Sequence, residues 1–368
     1  MESTLNKQHE SYANTKTSQF FKRDSDNKIQ ISSAGFEFNT SHHKWILDSE
    51  TTVNVEVVWS YPEEYRENIL ATLEHIAITN SAKYVYKHVV ELRRFLKHDK
   101  DFSLAGLAAY KMSIPERSRK RSVSTFRTFL RRMIHLGFHL PDEFMKEFNT
   151  WVIGASERGI PVLSQDPEEG PYSELELRAI QAALDFKYAD YTLSDREYSI
   201  VKLFIVTFRR PANLKQLKVK DLIANSNILA TKQMIFKLNI PRSKGKKRKF
   251  RSQSKAFVLV ESIGLVLTKH IQSSIKELEV KIGRELSEEE AKELPMFFNH
   301  RLIDDLCESI SDNAIDYLKS EIPHLTTDEL TKELQEIVDK LEIISERTGA
   351  HLKTTAYRFR YTGGTRAA

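Results

Sequence analysis

One cysteine stands in the whole chain, Cys307. A single thiol excludes an intrachain disulfide framework and a zinc site built from several cysteines. It points to a reducing compartment, and the expected location is cytoplasmic. Long apolar runs are missing too. Nowhere do about 20 apolar residues follow one another, as a bilayer-spanning helix requires. The opening stretch, Met1 to Lys16, is polar and carries no apolar core of a secretory leader. Internal repeats and low-complexity tracts are likewise missing. No metal or cofactor is expected, and no membrane partner.

What is present is ordinary in bulk and uneven in detail. The 368 residues are 40% hydrophobic and 29% charged, enough for two or more domains with their own cores. The net charge of +5 conceals clustering. Pro241 to Lys255 holds eight Lys/Arg and no acid. Pro115 to Arg132 holds seven Lys/Arg against the single acid Glu116. The stretches from Leu286 to Glu293 and from Thr326 to Glu346 lean acidic. Basic patches set against acidic faces suit a polyanion partner met by chosen surfaces.

Residues 1–60 are an N-terminal region without an assigned role. Within it, Val53 to Trp59 alternates as a strand does. Residues 62–160 read as a helical domain that opens at Pro62-Glu63-Glu64. Its most basic helix places Val123, Phe126, Leu130, Met133 and Ile134 on one side. Arg127, Arg131 and Arg132 lie elsewhere on the wheel, so the helix can offer a basic stripe outward. Residues 161–172 read as a linker, with three prolines between Ile160 and Pro171. The last domain, 173–368, opens on the capping box Ser173-Glu176. Further boxes start at Ser194, Ser287 and Thr326. Two β-like runs, Met234 to Leu238 and Ala256 to Val260, flank the basic loop around Gly245 and read as a hairpin.

Three motifs carry a resemblance. The first is Thr207-Phe208-Arg209-Arg210-Pro211-Ala212-Asn213-Leu214, continuing to Asp221-Leu222. The second is Ile240-Pro241-Arg242-Ser243-Lys244-Gly245-Lys246-Lys247. The third is Thr354 to Arg366, with Tyr357, Arg360 and Thr362. In this order they resemble the first arginine box, the lysine hairpin and the second arginine box of the tyrosine recombinase (phage integrase) family. The resemblance covers about residues 62–368, and Leu286 to Glu346, longer than a minimal family member needs, reads as an insertion. Phe208 stands where the family has glycine, Asn213 where it has an acid, and Tyr357 where it usually has histidine.

The resemblance implies a mainly α fold: a helical core-binding domain, then an α+β catalytic domain with a small β-sheet or hairpin. It implies site-specific DNA strand cleavage and rejoining through a phosphotyrosine, hence recombination and integration, with a mobile element as source. Arg210 and Arg360 would clamp the scissile phosphate, because forked guanidiniums stay charged and match developing oxyanions. Lys244, or its rival Lys246, would protonate the departing sugar hydroxyl, and Tyr357 would donate a hydrogen bond. Arg119, Lys120, Arg121, Arg127, Arg131, Arg242, Lys246 and Lys247 would bind DNA. The implied partners are double-stranded DNA and further copies of the chain, a tetramer when the C-terminus is intact. The family's nucleophile lies beyond its second box, and Ala368 comes eight residues after Arg360. The expectation is therefore a C-terminally truncated recombinase whose enzymatic status is open. The alternatives are a catalytically dead DNA-binding remnant or competitor, and a basic helical scaffold with no nucleic-acid partner.

Overall fold

The computed structural model describes residues 28–152, 159–226, 234–242, 250–307 and 314–367. They divide into two compact units, 28–152 with Phe250, and 159–242 with 251–367. The fold is mainly helical, with small antiparallel sheets.

The first unit opens with two β-hairpins. β1 (Ile29–Ile31) pairs with β2 (Glu37–Asn39), and β3 (Lys44–Ile46) with β4 (Thr52–Asn54). Five helices follow: α1 (Glu63–Thr79), α2 (Ala82–Leu96), α3 (Leu104–Ser113), α4 (Glu116–His135) and α5 (Asp142–Thr150). Hairpins and helices share one core, in which Trp45, Val53 and Val58 pack with Ile69, Phe95, Phe126 and Phe144. The segment from Phe38 to Val58 is thus part of this unit's packing. The strand expected over Val53 to Trp59 stops at Asn54. The Asn54 side chain accepts the Glu56 backbone N–H at 2.9 Å, and Glu56–Ser60 winds into a 3₁₀ turn instead. On α4 the buried stripe is Val123, Phe126, Phe129, Leu130 and Met133. Ile134, expected on that stripe, is 44% exposed. It lies one position past Met133, about 100° around the helix.

The second unit buries a core of α7 (Glu174–Ala189), α8 (Asp195–Thr207), three later helices and a three-stranded sheet. Before α7 runs the short α6 (Ile160–Leu163). After α8 come α9 (Pro211–Leu214) and the strands β5 (Leu222–Ser226), β6 (Met234–Pro241) and β7 (Ser254–Leu259) in order β5-β6-β7. The hairpin expected from the sequence is β6-β7. β5 extends it, pairing Leu222 with Leu238. Phe236, Leu238 and Ile240 of β6 face the core. The chain then runs through α10 (Glu261–Ile282), α11 (Glu288–Glu293), α12 (His300–Cys307), α13 (Ala314–Lys319), α14 (Thr327–Asp339) and α15 (Ala356–Arg366).

All four capping boxes form, at Ser173, Ser194, Ser287 and Thr326. The stretch read as an insertion is only partly peripheral. α14 sinks Leu330, Leu334, Ile337 and Val338 into the main core, while Leu294, Phe298 and Leu318 build a smaller cluster with Leu278. Residues 161–172 are tied down rather than loose. The Arg347 guanidinium donates to the Gln165 and Pro171 carbonyls at 3.1 and 3.0 Å, and Arg358 to the Gly170 carbonyl at 3.1 Å. Prolines signal where a helix breaks; they say nothing of which distant guanidinium caps the exposed carbonyls.

Three imidazoles are buried and held neutral. Burial, joined by the Arg132 charge, pushes His88 down to about 4. Burial pushes His270 to about 4 and His324 to about 3. In the unfolded chain each would titrate near 6.5, so between about pH 4 and 6.5 the unfolded state binds more protons. Their contribution is complete above about pH 6.5 and is lost as pH falls toward 4. We expect stability to drop by up to about 1.4 kcal/mol per pH unit per imidazole across that window. Urea midpoints from about pH 7 to about pH 4.5 measure it, and His270→Gln should flatten the slope.

Among the described residues, no helix is long and apolar enough to cross a membrane. Nor do three or more His, Cys, Asp or Glu side chains gather as metal ligands.

Candidate nucleic-acid interface

The site is built around the end of α8. This helix is anchored by Tyr198, Ile200, Leu203 and Phe204 and terminates at Phe208. Phe208 takes the left-handed conformation, φ 50° and ψ 34°, and its N–H donates to the Phe204 carbonyl at 3.0 Å. A phenylalanine there costs about 1–2 kcal/mol against glycine. The turn is steadied by Thr207, whose hydroxyl donates back to the Leu203 carbonyl at 2.6 Å. Arg210 precedes Pro211, which bars it from the helical region. It is accordingly extended, at φ −70° and ψ 148°, and its carbonyl accepts from the Asn213 N–H at 2.8 Å.

Asn213 joins this turn to the hairpin. Its side-chain amide donates to the Pro241 carbonyl at 2.7 Å, and the contact is buried. An ionised carboxylate could not make this bond, because it has no N–H to give. Arg242 follows directly, and its backbone N–H closes the hairpin on Gln253 at 2.9 Å. The hairpin lysines of the expected site, Lys244, Lys246 and Lys247, lie outside the described residues.

The third element of the site is the helix α15. Thr355 caps it, accepting the Arg358 N–H at 3.3 Å. Phe359 packs on the Tyr172 and Phe204 rings, at centroid distances of 4.9 and 6.0 Å. Thr362 accepts the Tyr172 N–H at 2.8 Å. These contacts set the rotation of the helix. Arg358 points inward and is fully buried, while Arg360 is half-buried and Tyr357 is 53% exposed. Arg360 reaches across 152 residues of sequence and donates to the Phe208 carbonyl at 3.3 Å. The Phe208 ring lies against Gly363, where a Cβ would come within 2.3 Å of it.

Arg209, Arg210, Arg242 and Arg360 therefore converge. Burial lowers the proton affinity of Arg209, and the charges of Arg360, Arg242 and Arg210 lower it further. Among the described residues, none of the four has a carboxylate partner. Guanidiniums gathered without an acid can hold an anion, and their forked N–H donors match phosphate oxygens.

Elsewhere the expected residues split. Arg119, Lys120, Arg121 and Arg131 are exposed on α4. Arg127 is not part of an open stripe. Its guanidinium donates to the Phe148 and Trp151 carbonyls at 2.6 and 2.8 Å and lies over the Phe148 ring. It closes the C-terminal end of α5. Arg131 stays at the surface, bonded to Asn149 at 2.9 Å. Sequence reasoning passed over Arg209 and the joining roles of Phe208, Asn213 and Gly363. The Arg209-Arg210 doublet, with no acid near it in the sequence, was the available signal for the first.

No family model matches the chain, and no curated protein does. Some solved structures resemble it, among them two complexes of a site-specific recombinase and one of an integrase. One is the XerH site-specific recombinase bound to difH substrate in a pre-cleavage complex, 12% identical with a TM-score of 0.40, covering 83% of this chain and 77% of that one. Another is a lambda integrase dimer bound to a COC' core site, 11% identical with a TM-score of 0.41, covering 93% and 87%. A third, XerH bound to palindromic difH in a post-cleavage complex, is 13% identical with a TM-score of 0.38, covering 84% and 75%.

Proposed function

We propose that this chain binds duplex DNA and that its second unit holds a backbone phosphate between Arg210 and Arg360, as a tyrosine-type site-specific recombinase does. The observation that supports this best is the bond from Arg360 to the Phe208 carbonyl. It brings the third motif onto the first and leaves both guanidiniums without an acid. A structural arginine is normally consumed by a carboxylate or by several carbonyls, as Arg358 is; a phosphate ligand keeps donors free.

In this reading the two guanidiniums stabilise the charge that grows on the non-bridging oxygens. A tyrosine attacks phosphorus, the bond to the departing sugar oxygen breaks, and Lys244 on the hairpin loop supplies that oxygen with a proton. Tyr357 gives a hydrogen bond from the exposed face of α15. The attacking tyrosine reaches the phosphate from outside α15, since Tyr361 directly follows Arg360 and points about 100° away. Arg119, Lys120, Arg121 and Arg131 of the first unit contact the phosphate backbone, setting register rather than chemistry. The finer reading is integration or excision by a homo-oligomer, a tetramer on DNA, encoded by a mobile element and acting in the cytoplasm.

Fluorescence anisotropy of a labelled duplex across a salt series tests the reading. Affinity should fall steeply as salt rises, with a log–log slope of about −0.9 per neutralised phosphate. Arg210→Ala and Arg360→Ala should each weaken binding and make the slope shallower by about 1. A flat salt response would exclude the proposal.

A further inference from the structure

The Arg210–Arg360 clamp accounts for one phosphodiester, which carries a single negative charge. Two guanidiniums already exceed it. Arg209 and Arg242 add two more positive charges at the same place, again with no carboxylate partner among the described residues. Guanidiniums do not shed their protons, so the crowding is unfavourable unless anions fill it.

Arg209 is held for such a task. Its guanidinium carbon lies 5.0 Å from the centre of the Phe257 ring, and its Nε is buried with no acceptor. The ring attracts the cation to its face without offering a conventional acceptor, so the guanidinium N–H groups stay available. Phe257 stands opposite Leu238 in the sheet, and Lys255, two residues earlier on the same face of β7, stands opposite Ile240. The Lys255 ammonium lies 5.6 Å from the centre of the same ring. On the other side, the Asn213–Pro241 bond fixes Arg242 next to the turn that carries Arg209.

Resting on the DNA-binding reading above, we infer that Arg209 and Arg242, backed by Phe257, form a second phosphate site that takes the phosphodiester neighbouring the one held by Arg210 and Arg360 on the same strand. The site reads spacing along a polyanion, and a single phosphate does not satisfy it.

The test compares oligonucleotides with one and two phosphodiesters, TpT and TpTpT, on the full chain, alongside duplex binding across salt. The wild type should prefer TpTpT by roughly fivefold or more, above the twofold expected from statistics alone. Arg209→Ala should bring the preference down to about twofold and make the duplex salt slope shallower by about 1. Arg242→Ala, at an exposed position and so free of folding cost, should do the same even where Arg209→Ala fails to fold. If the wild type binds duplex DNA and both Arg210→Ala and Arg360→Ala weaken it, yet the Arg209 and Arg242 variants keep slope and preference, the second site falls and the first reading stands. If the wild type does not bind duplex DNA, the first reading falls and takes this one with it.

Discussion

Arg358→Ala is expected to destabilise the second unit by about 3–5 kcal/mol, the usual cost of removing one member of a buried ion pair. The side chain is fully buried, and so is the carboxylate of Glu176, to which it donates at 3.1 Å. It donates to the Gly170 carbonyl at 3.1 Å and also to the Lys353 carbonyl, and its cation lies 4.1 Å from the centre of the Tyr172 ring. Truncation strands the buried Gly170 carbonyl and the partly buried Lys353 carbonyl and removes a charge that opposes Glu176. Arg347 still reaches Glu176 at 2.5 Å, so the carboxylate keeps one partner. Arg347→Ala should accordingly cost less, about 1–2 kcal/mol, because that side chain is already 22% exposed. Urea unfolding of the two variants measures both. An Arg358→Ala loss below about 1 kcal/mol would show that water or rearrangement replaces these bonds.

Gly363→Ala is expected to destabilise the chain by about 1–3 kcal/mol, although helix propensity alone predicts a gain of about 1 kcal/mol. The added methyl would stand 2.3 Å from the Phe208 ring, closer than carbon atoms approach. The ring belongs to the residue whose carbonyl is the acceptor for Arg360, so a shift of α15 away from it would stretch that bond. DNA affinity should therefore fall along with stability. Phe208→Gly removes the obstacle and the left-handed strain together. The double variant Phe208→Gly/Gly363→Ala should recover most of the loss, giving a coupling of about 2 kcal/mol by double-mutant cycle. Additive effects would mean that the two residues do not share the contact.

Both predictions turn on the same eleven-residue helix, α15. Arg358 and Arg360 are two positions apart in sequence, about 200° around a helix. One is consumed by the interior and the other is left at the arginine cluster. The linear sequence shows two basic residues of equal standing. Which of them faces inward depends on Phe359 packing between Tyr172 and Phe204, residues contributed by segments 187 and 155 positions earlier in the chain.

Much of the architecture was legible in advance because its causes are local. A Ser or Thr three residues before Glu satisfies its own backbone donors, so Ser173, Ser194, Ser287 and Thr326 each mark a helix start. Alternation around a basic loop sufficed for β6 and β7, whose inward residues are two apart. The stop of a strand at Asn54 was also local, but it rests on one side-chain hydrogen bond that alternation does not encode. The order of the three motifs suggested where arginines would gather.

What remained hidden in the sequence depends on pairs with no local signature. Asn213 donates to Pro241, Arg347 caps the turn before α7, and the Phe208 ring rests on Gly363; each joins segments 28 to 182 residues apart. Composition and periodicity determine which faces are apolar and where helices begin, since those choices are made within one or two turns of chain. Which guanidiniums are spent on carbonyls and which stay free for an anion is settled only when distant segments pack, because a buried donor takes whatever acceptor the completed core presents to it.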